Sequence, residues 1–167
     1  MTSQFRFANS LNNRLFDELI IRPFVKDYGN NYKKRWLKNH PRVKFDKKTS
    51  FKVSLNNCRI CISDCISTTW LESLIFNKPT IFFWNSDNYY FQDNMNVYFD
   101  SLKSVSILHD SPEEAAKTLN KVYDSIEIWW NNPHRQYVKN KFCENFAKES
   151  VNFNNHWFNE IKLLLYS

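Results

Sequence analysis

Apolar residues along this chain fall into short unbroken runs separated by stretches with helical spacing. Glu18–Phe24 holds Leu19-Ile20-Ile21, Arg59–Ser63 holds Ile60-Cys61-Ile62, and Thr80–Trp84, Val105–His109 and the shorter Val43–Asp46 are of the same kind. Such runs suit strands of a parallel sheet, which is covered on both faces and so need not alternate. Between them, Leu11, Leu15, Phe16 and Leu19 predict a helix over Asn9–Leu19. Tyr32–Asn39 reads as a short basic helix with Trp36 and Leu37 inward, and Ser50–Asn57 as another with Phe51, Val53 and Leu55. Trp70, Leu71, Leu74 and Ile75 mark a helix that Asn77-Lys78-Pro79 stops, because Pro79 cannot donate and biases its predecessor away from helical backbone. Ser111-Pro112-Glu113-Glu114 is a helix start, with Ser111 as cap, Pro112 first and Glu114 as capping-box partner. That helix is predicted to run to about Trp130, with Ala115, Leu119, Val122 and Ile126 on one side, until Asn131-Asn132-Pro133 breaks it. His134–Ser150 follows, with Val138, Phe142 and Phe146 at four-residue steps. A last helix, Asn152–Tyr166, is apolar on more than one side, as expected of a segment that packs against something outside the chain.

Strands alternating with helices predict an α/β fold: a Rossmann-like three-layer domain with a central parallel sheet, ending in helices. The segment Cys58–Trp84 is its central strand–helix–strand unit, and such units bind ligands beyond the carboxyl ends of their strands. The loop Ser63–Thr69 sits at such an end. A helix start offers unpaired N–H groups and the positive end of the helix dipole. Ser67, Thr68 and Thr69 add hydroxyl donors, so the loop can hold a phosphate without glycines. Glu72, one turn on, can accept from a ribose or sugar hydroxyl; the plainer alternative is that Ser67 or Thr68 caps the helix and Glu72 favours its dipole. Arg22 closes the strand before Pro23, where a guanidinium fork would meet a ligand phosphate or form a salt bridge. Tyr89, Tyr90 and Phe91, in the stretch Asn85–Phe99, would wall a pocket or pack on their own domain.

Composition narrows the chemistry. At 167 residues the chain is one domain by length, and 43% hydrophobic and 17% aromatic content exclude disorder. No apolar run reaches transmembrane length, and Met1–Ser10 is too polar for a signal peptide, so no transmembrane segment is expected, although peripheral membrane contact is compatible with the charge. One glycine, Gly29, serves the whole chain, where average usage would give about a dozen. This rules out a GxGxxG or P-loop phosphate site. The four cysteines suggest a reduced, cytoplasmic setting. Cys58-x-x-Cys61 has redox or zinc spacing, but no second Cys/His pair stands near, and no DxD-type pair stands out, so neither metal nor cofactor is expected. The net charge of +6 is concentrated in Lys26–Lys52. No nucleic-acid motif accompanies that run, so it reads as a solvated face that flanks the anion site and steers a charged donor, with no nucleic-acid partner.

The chain resembles the carboxyl-terminal part of a bacterial transferase family found with surface-polysaccharide genes. The matching phrases are Ile21-Arg22-Pro23-Phe24 with Asp27-Tyr28-Gly29, Arg35-Trp36, Ile62-Ser63-Asp64 with Ser67-Thr68-Thr69, Leu71-Glu72-Ser73-Leu74, Lys78–Trp84, Tyr98-Phe99-Asp100, Ile107–Ala116, Trp129-Trp130 and Phe142-Cys143. The Ser63-Asp64…Ser67-Thr68 phrase is also similar to the donor-phosphate segment of CDP-glycerol glycerophosphotransferases. The resemblance implies the carboxyl-terminal half of a glycosyltransferase-B architecture. In it, residues 1–167 form a single donor-binding domain, and the amino-terminal acceptor domain is absent. It further implies that Ser67, Thr68 and Thr69 bind donor phosphate, Arg22 assists, Glu72 touches sugar or ribose and Asp64 orients the loop. The donor would be a nucleotide-sugar or nucleotide-alditol, used in cell-surface polysaccharide biosynthesis. Turnover would need the missing amino-terminal domain or a partner chain, and no catalytic base is assigned among Asp64, Glu72 and His109. The competing expectation is a non-catalytic, degenerate Rossmann-like module that binds a protein partner.

Overall fold

The computed structural model describes residues 2–24, 26–47, 50–84, 93–147, 158–159 and 161–163. In chain order these form α1 (Thr2–Asn9), α2 (Asn13–Glu18), β1 (Ile20–Ile21), α3 (Tyr32–Asn39), β2 (Lys44–Phe45), α4 (Phe51–Asn57), β3 (Cys61–Ser63), α5 (Thr68–Ile75), β4 (Thr80–Phe83), α6 (Asn96–Ser104), β5 (Leu108–His109), α7 (Pro112–Val122), α8 (Ile126–Trp130) and α9 (Pro133–Phe146). The fold is mixed α/β with two small parallel sheets. One pairs β1 with β2, Ile20 opposite Lys44 and Ile21 opposite Phe45. The other runs β3-β4-β5, with Cys61 opposite Thr80 and Phe82 opposite Leu108.

Strand β4 is buried along its whole length, and its side chains divide the interior. Ile81 and Phe83 join Phe7, Leu11 and Leu15 of the amino-terminal segment and Ala115, Ala116 and Leu119 of α7. Phe82 and Trp84 join Trp70 and Leu74 of α5, Phe99 and Leu102 of α6, and Val138 and Phe142 of α9. A strand with period two and apolar residues at every position must feed a core on each face. Helix α1 extends its side of the interior to the second sheet, where Ala8 packs with Trp36 of α3 and Val43. Lys52 of α4 reaches the end of α5, its Nζ 5.4 Å from the centre of the ring of Phe76, the residue that follows the helix.

Several boundaries depart from the sequence expectation. The Asn9–Leu19 helix is two helices, because Asn12 caps the second one by accepting from the Leu15 N–H at 2.9 Å. The polar-looking start of the chain is itself helical, with Phe7 and Ala8 buried. The strand Val105–His109 shrinks to Leu108–His109, since Ser106 sits at φ 58° and turns the chain out of α6. The residues before it, Asp100–Ser104, belong to α6. Helix Pro112–Trp130 is interrupted by a 3₁₀ turn at Tyr123–Ser125, where tertiary ties gather. There the Tyr123 hydroxyl donates to Glu18, Arg59 stands 4.8 Å from the ring centre of Tyr123, and Arg14 pairs with Asp124 at 2.9 Å. The start at Ser111 is as expected, Ser111 Oγ accepting from the Glu114 N–H at 3.2 Å, while Glu113 pairs with Arg6 at 2.6 Å. Of the predicted last helix, the described residues 158–159 and 161–163 are helical, and Phe158, Ile161 and Leu163 are exposed.

Candidate functional site at the carboxyl edge of the strands

Arg22 follows β1, and Asp64 follows β3. The strands within each sheet are parallel, and both residues line one cavity of about 820 Å³ that opens between the two sheets. Two hydrogen-bonded clusters stand there. In the first, Arg22 Nη1 donates to Asp46 Oδ2 at 2.5 Å and to Ser54 Oγ at 2.9 Å, and Ser54 Oγ donates to the same Asp46 oxygen. The guanidinium lies 5.9 Å from the ring centre of Phe51. Residues from just beyond β1, from just beyond β2 and from α4 thus meet at one point. Pro23 helps, since its fixed backbone and missing N–H end the strand and leave the arginine at its tip.

In the second cluster, Gln4 Nε2 donates to Asp64 Oδ2 and the Tyr32 hydroxyl donates to Gln4 Oε1 at 3.0 Å. Burial, reinforced by the Asp64 carboxylate, pushes the Tyr32 phenol above its ordinary range, so it stays a proton donor. Trp36 lines the same cavity, is 1% exposed, and its buried indole N–H has no acceptor among the described residues. Asp64 therefore ties the loop after β3 to the first turn of α1.

The hydroxyl-bearing helix start is separate from this cavity. Ser67 is the residue before α5, in extended backbone, and its side chain makes no cap bond to the helix. Its Oγ instead lies 2.7 Å from Thr69 Oγ1. Thr68 is exposed, and Thr69 and Glu72 are half-buried. With the side chain turned away, the first N–H groups of α5 keep their capacity for an outside acceptor. Neither Ser67, Thr68, Thr69 nor Glu72 lines the cavity that Arg22 and Asp64 share. The six candidate residues thus form two groups, joined by the five-residue path from Asp64 to Thr68. Tyr89, Tyr90 and Phe91 lie outside the described residues.

Gln4, Tyr32, Asp46 and Ser54 are the residues that sequence reasoning missed. Arg22 finds Asp46 and Ser54 across 24 and 32 residues, and Gln4 finds Asp64 across 60, separations at which a single sequence carries no pairing signal. The three cysteines of the central unit are all free thiols. Burial pushes Cys61 up to about 12 and raises Cys58 and Cys65 as well, which keeps them protonated and poor nucleophiles. His109 is held below its ordinary value by burial and faces the Ser106 carbonyl at 3.2 Å, so it is a neutral side chain of β5. Among the described residues no group of His, Cys, Asp and Glu gathers that could hold a metal ion, and no helix is long and apolar enough to cross a membrane.

No curated protein and no solved structure matches the chain. Compared with known protein families, residues 1–161 match the LIC12162 family transferase. That match takes in both sheets, the Arg22 and Asp64 clusters and the start of α5, and by it the chain belongs to the LIC12162 family of transferases.

Proposed function

We propose that this chain is the donor-binding half of a glycosyltransferase-B-like enzyme, holding the phosphates of a nucleotide-sugar or nucleotide-alditol for cell-surface polysaccharide synthesis. The two small sheets are, in this reading, halves of one doubly wound, three-layer Rossmann-like sheet. The helix after β1 packs on the α1 side of the molecule and the helix after β3 on the other. Right-handed crossovers on opposite faces wind in opposite directions, so the order of strands reverses between β1 and β3. Ligands of open α/β sheets bind outside the carboxyl ends at that reversal. The observation that carries the reading is the placement of Arg22 and Asp64 at those two carboxyl ends.

The chemistry follows from the groups present. Arg22 supplies a cation on one side, already oriented by Asp46 and Ser54. The N–H groups at the start of α5 and the hydroxyls of Ser67, Thr68 and Thr69 supply donors on the other. As the donor breaks, negative charge grows on the departing phosphate, and donors already in place stabilise it without reorganising. Glu72 is positioned one turn into α5 to accept from a ribose or sugar hydroxyl. The acceptor and its base come from the rest of a two-domain enzyme.

A thermal-shift titration against CDP, UDP, GDP and CMP tests this. A nucleotide at 100 times its dissociation constant adds about 2.7 kcal/mol to stability. A shift selective for one base, and lost in Thr68→Ala, is the expected result. No shift with any of the four overturns the reading.

A further inference from the structure

The cavity between the sheets runs the length of their facing edges, from Glu18–Arg22 on one wall to Arg59–Asp64 apart from Ser63 on the other. Backbone direction along those edges is fixed by the ladders. The Cys61 N–H bonds the Pro79 carbonyl at 2.8 Å, so Cys61 and Ser63 address β4 and Ile62 between them addresses the cavity. The Asp46 N–H bonds the Ile21 carbonyl at 2.8 Å, so Ile21 addresses β2 and Ile20 addresses the cavity from the opposite wall. Two parallel strand edges thus face each other across a space, each presenting backbone donors and acceptors. The space is lined by apolar side chains from two groups of elements, Phe7, Leu15 and Leu119 from the cluster of the amino-terminal segment and α7, and Phe51 and Leu55 from α4. Ile20, on the open wall, is 59% exposed.

Topology says what fits there. Helix α1 starts at the carboxyl edge of the sheets, because Gln4 in its first turn bonds Asp64 just past β3. It lies on the same side as α3 and leads, through α2, into β1. That is the position of a right-handed crossover from a strand lying in the cavity to β1. The α4 connection from β2 to β3 passes on the other side, by the end of α5, as a crossover returning over such a strand would.

We propose that the cavity receives a strand: an extended aliphatic segment, outside the described residues, that runs parallel to β1 and β3 and whose carboxyl end leads to the amino end of α1. The five strands then become one six-stranded sheet in the order β2-β1-added strand-β3-β4-β5. The walls accommodate four to five residues, roughly 13–16 Å at strand rise. Flanked by both groups of apolar side chains, the segment is rich in valine and isoleucine without alternation. It pairs on both edges, as in strand addition to an exposed sheet edge. Its source, on the two-domain reading proposed above, is the stretch of that enzyme leading into α1. The inference stands apart from nucleotide binding, since the added strand fills the space below the carboxyl edge and leaves Arg22 and Asp64 at its rim.

Amide hydrogen exchange followed by NMR, without nucleotide, tests it. In the 167-residue protein the Ile62 amide should exchange about 100-fold faster than those of Cys61 and Ser63. A second protein carries Lys-Val-Ile-Val-Ile-Val and a three-residue Asn-Gly-Ser link ahead of Thr2, which makes pairing intramolecular. There Ile62 should slow to the rate of Cys61 and the melting midpoint should rise. A control with proline at alternate positions of the added segment should do neither, since proline removes the ladder donors. Three results overturn the proposal. One is an Ile62 amide already as slow as Cys61 in the unextended protein, as when its own residues fill the space. Another is such protection lost on dilution, which assigns the space to a second copy. The third is an added segment that leaves Ile62 fast.

Discussion

The β3-β4-β5 sheet and the β1-β2 pair have the same parallel chemistry and very different surroundings. On the first side Ile81, Phe82, Leu102, Ile107 and Ile126 are fully buried and aromatic rings interlock, Trp70 stacking on Phe82 at 4.6 Å and Trp84 meeting Phe99 edge-on at 4.9 Å. Two of its polar side chains, Trp130 and Lys139, are absorbed in structural work, while the buried indole N–H of Trp70 has no acceptor among the described residues. The Trp130 indole N–H donates to the Asn77 carbonyl at 2.9 Å and Lys139 Nζ to the Asn77 side chain at 2.9 Å. On the second side Trp36, Val43 and Ala8 form a small core, two-residue strands stop early, and the polar clusters of Arg22 and Asp64 stand at an open rim. A sheet buries least where it lacks a neighbour, and ligand-binding elements are drawn from that low-stability end. The difference separates the part of the chain that holds it together from the part that can recognise something.

The largest test of that difference is truncation of one apolar side chain on each side. Phe82 is completely buried, and Phe82→Ala should cost about 3–5 kcal/mol by lost transfer energy and a residual cavity. Ile20 is more than half exposed, and Ile20→Ala should cost within about 0.5 kcal/mol. Urea unfolding at one pH measures both. In the protein with the added strand the cost of Ile20→Ala should grow, because the new neighbour covers that side chain; equal costs at the two positions in the unextended protein would erase the distinction.

The well-packed side was also the legible one. Unbroken runs such as Thr80–Trp84 and the stop at Asn77-Lys78-Pro79 state a buried strand and a helix end in residue types alone, and β4 and α5 lie where those signals put them. The open side was legible as strands and helices but not as a site. Arg22 announced a charge at a strand tip, yet its partners Asp46 and Ser54 are set by how β1, β2 and α4 come together. Helix α1 was missed because Phe5, Phe7 and Ala8 are diluted by polar neighbours, and its burial depends on distant Phe83 and Trp36. The 3₁₀ turn at Tyr123–Ser125 left no mark, because apolar spacing continues through it to Ile126. The cavity left none either, since a run of apolar residues specifies a strand and not whether both of its edges are paired.

Acid should reach both sides through their histidines. Burial holds His109 of β5 and His40 after α3 below the ordinary value of 6.5. Each folded-state value lies under the unfolded one, so between them the unfolded chain binds more protons and stability rises with pH. As pH falls through about 6.5, protonation therefore favours unfolding, and the loss continues down to the folded-state values. Urea midpoints at pH 5 and pH 7.5 should differ less in His109→Gln and in His40→Gln than in the parent. His40 packs among Phe5, Phe16 and Trp36, which offer no charge to stabilise its imidazolium, whereas Asp110 and Glu114 partly support that of His109. A pH slope unchanged in both variants would remove the histidines as its source.

The finest comparison is between two helix starts of similar sequence character. Ser111 accepts from the Glu114 N–H and satisfies one of the first-turn donors of α7. Ser67 stands at the same position before α5 but engages Thr69 Oγ1 and leaves the helix without a side-chain cap. Ser111→Ala should therefore cost about 1 kcal/mol, a usual value for losing a cap. Ser67→Ala should cost only a few tenths, roughly the scatter of surface substitutions. Nucleotide should invert the ranking. The ligand-induced rise in melting midpoint should shrink in Ser67→Ala and persist in full in Ser111→Ala, because in the proposed function the first serine faces a ligand phosphate, whereas the second serves its own helix. A Ser67→Ala protein that loses as much stability as Ser111→Ala, with its nucleotide response intact, would make Ser67 an ordinary cap and leave Arg22, Thr68, Thr69 and Glu72 as the proposed contacts for a donor.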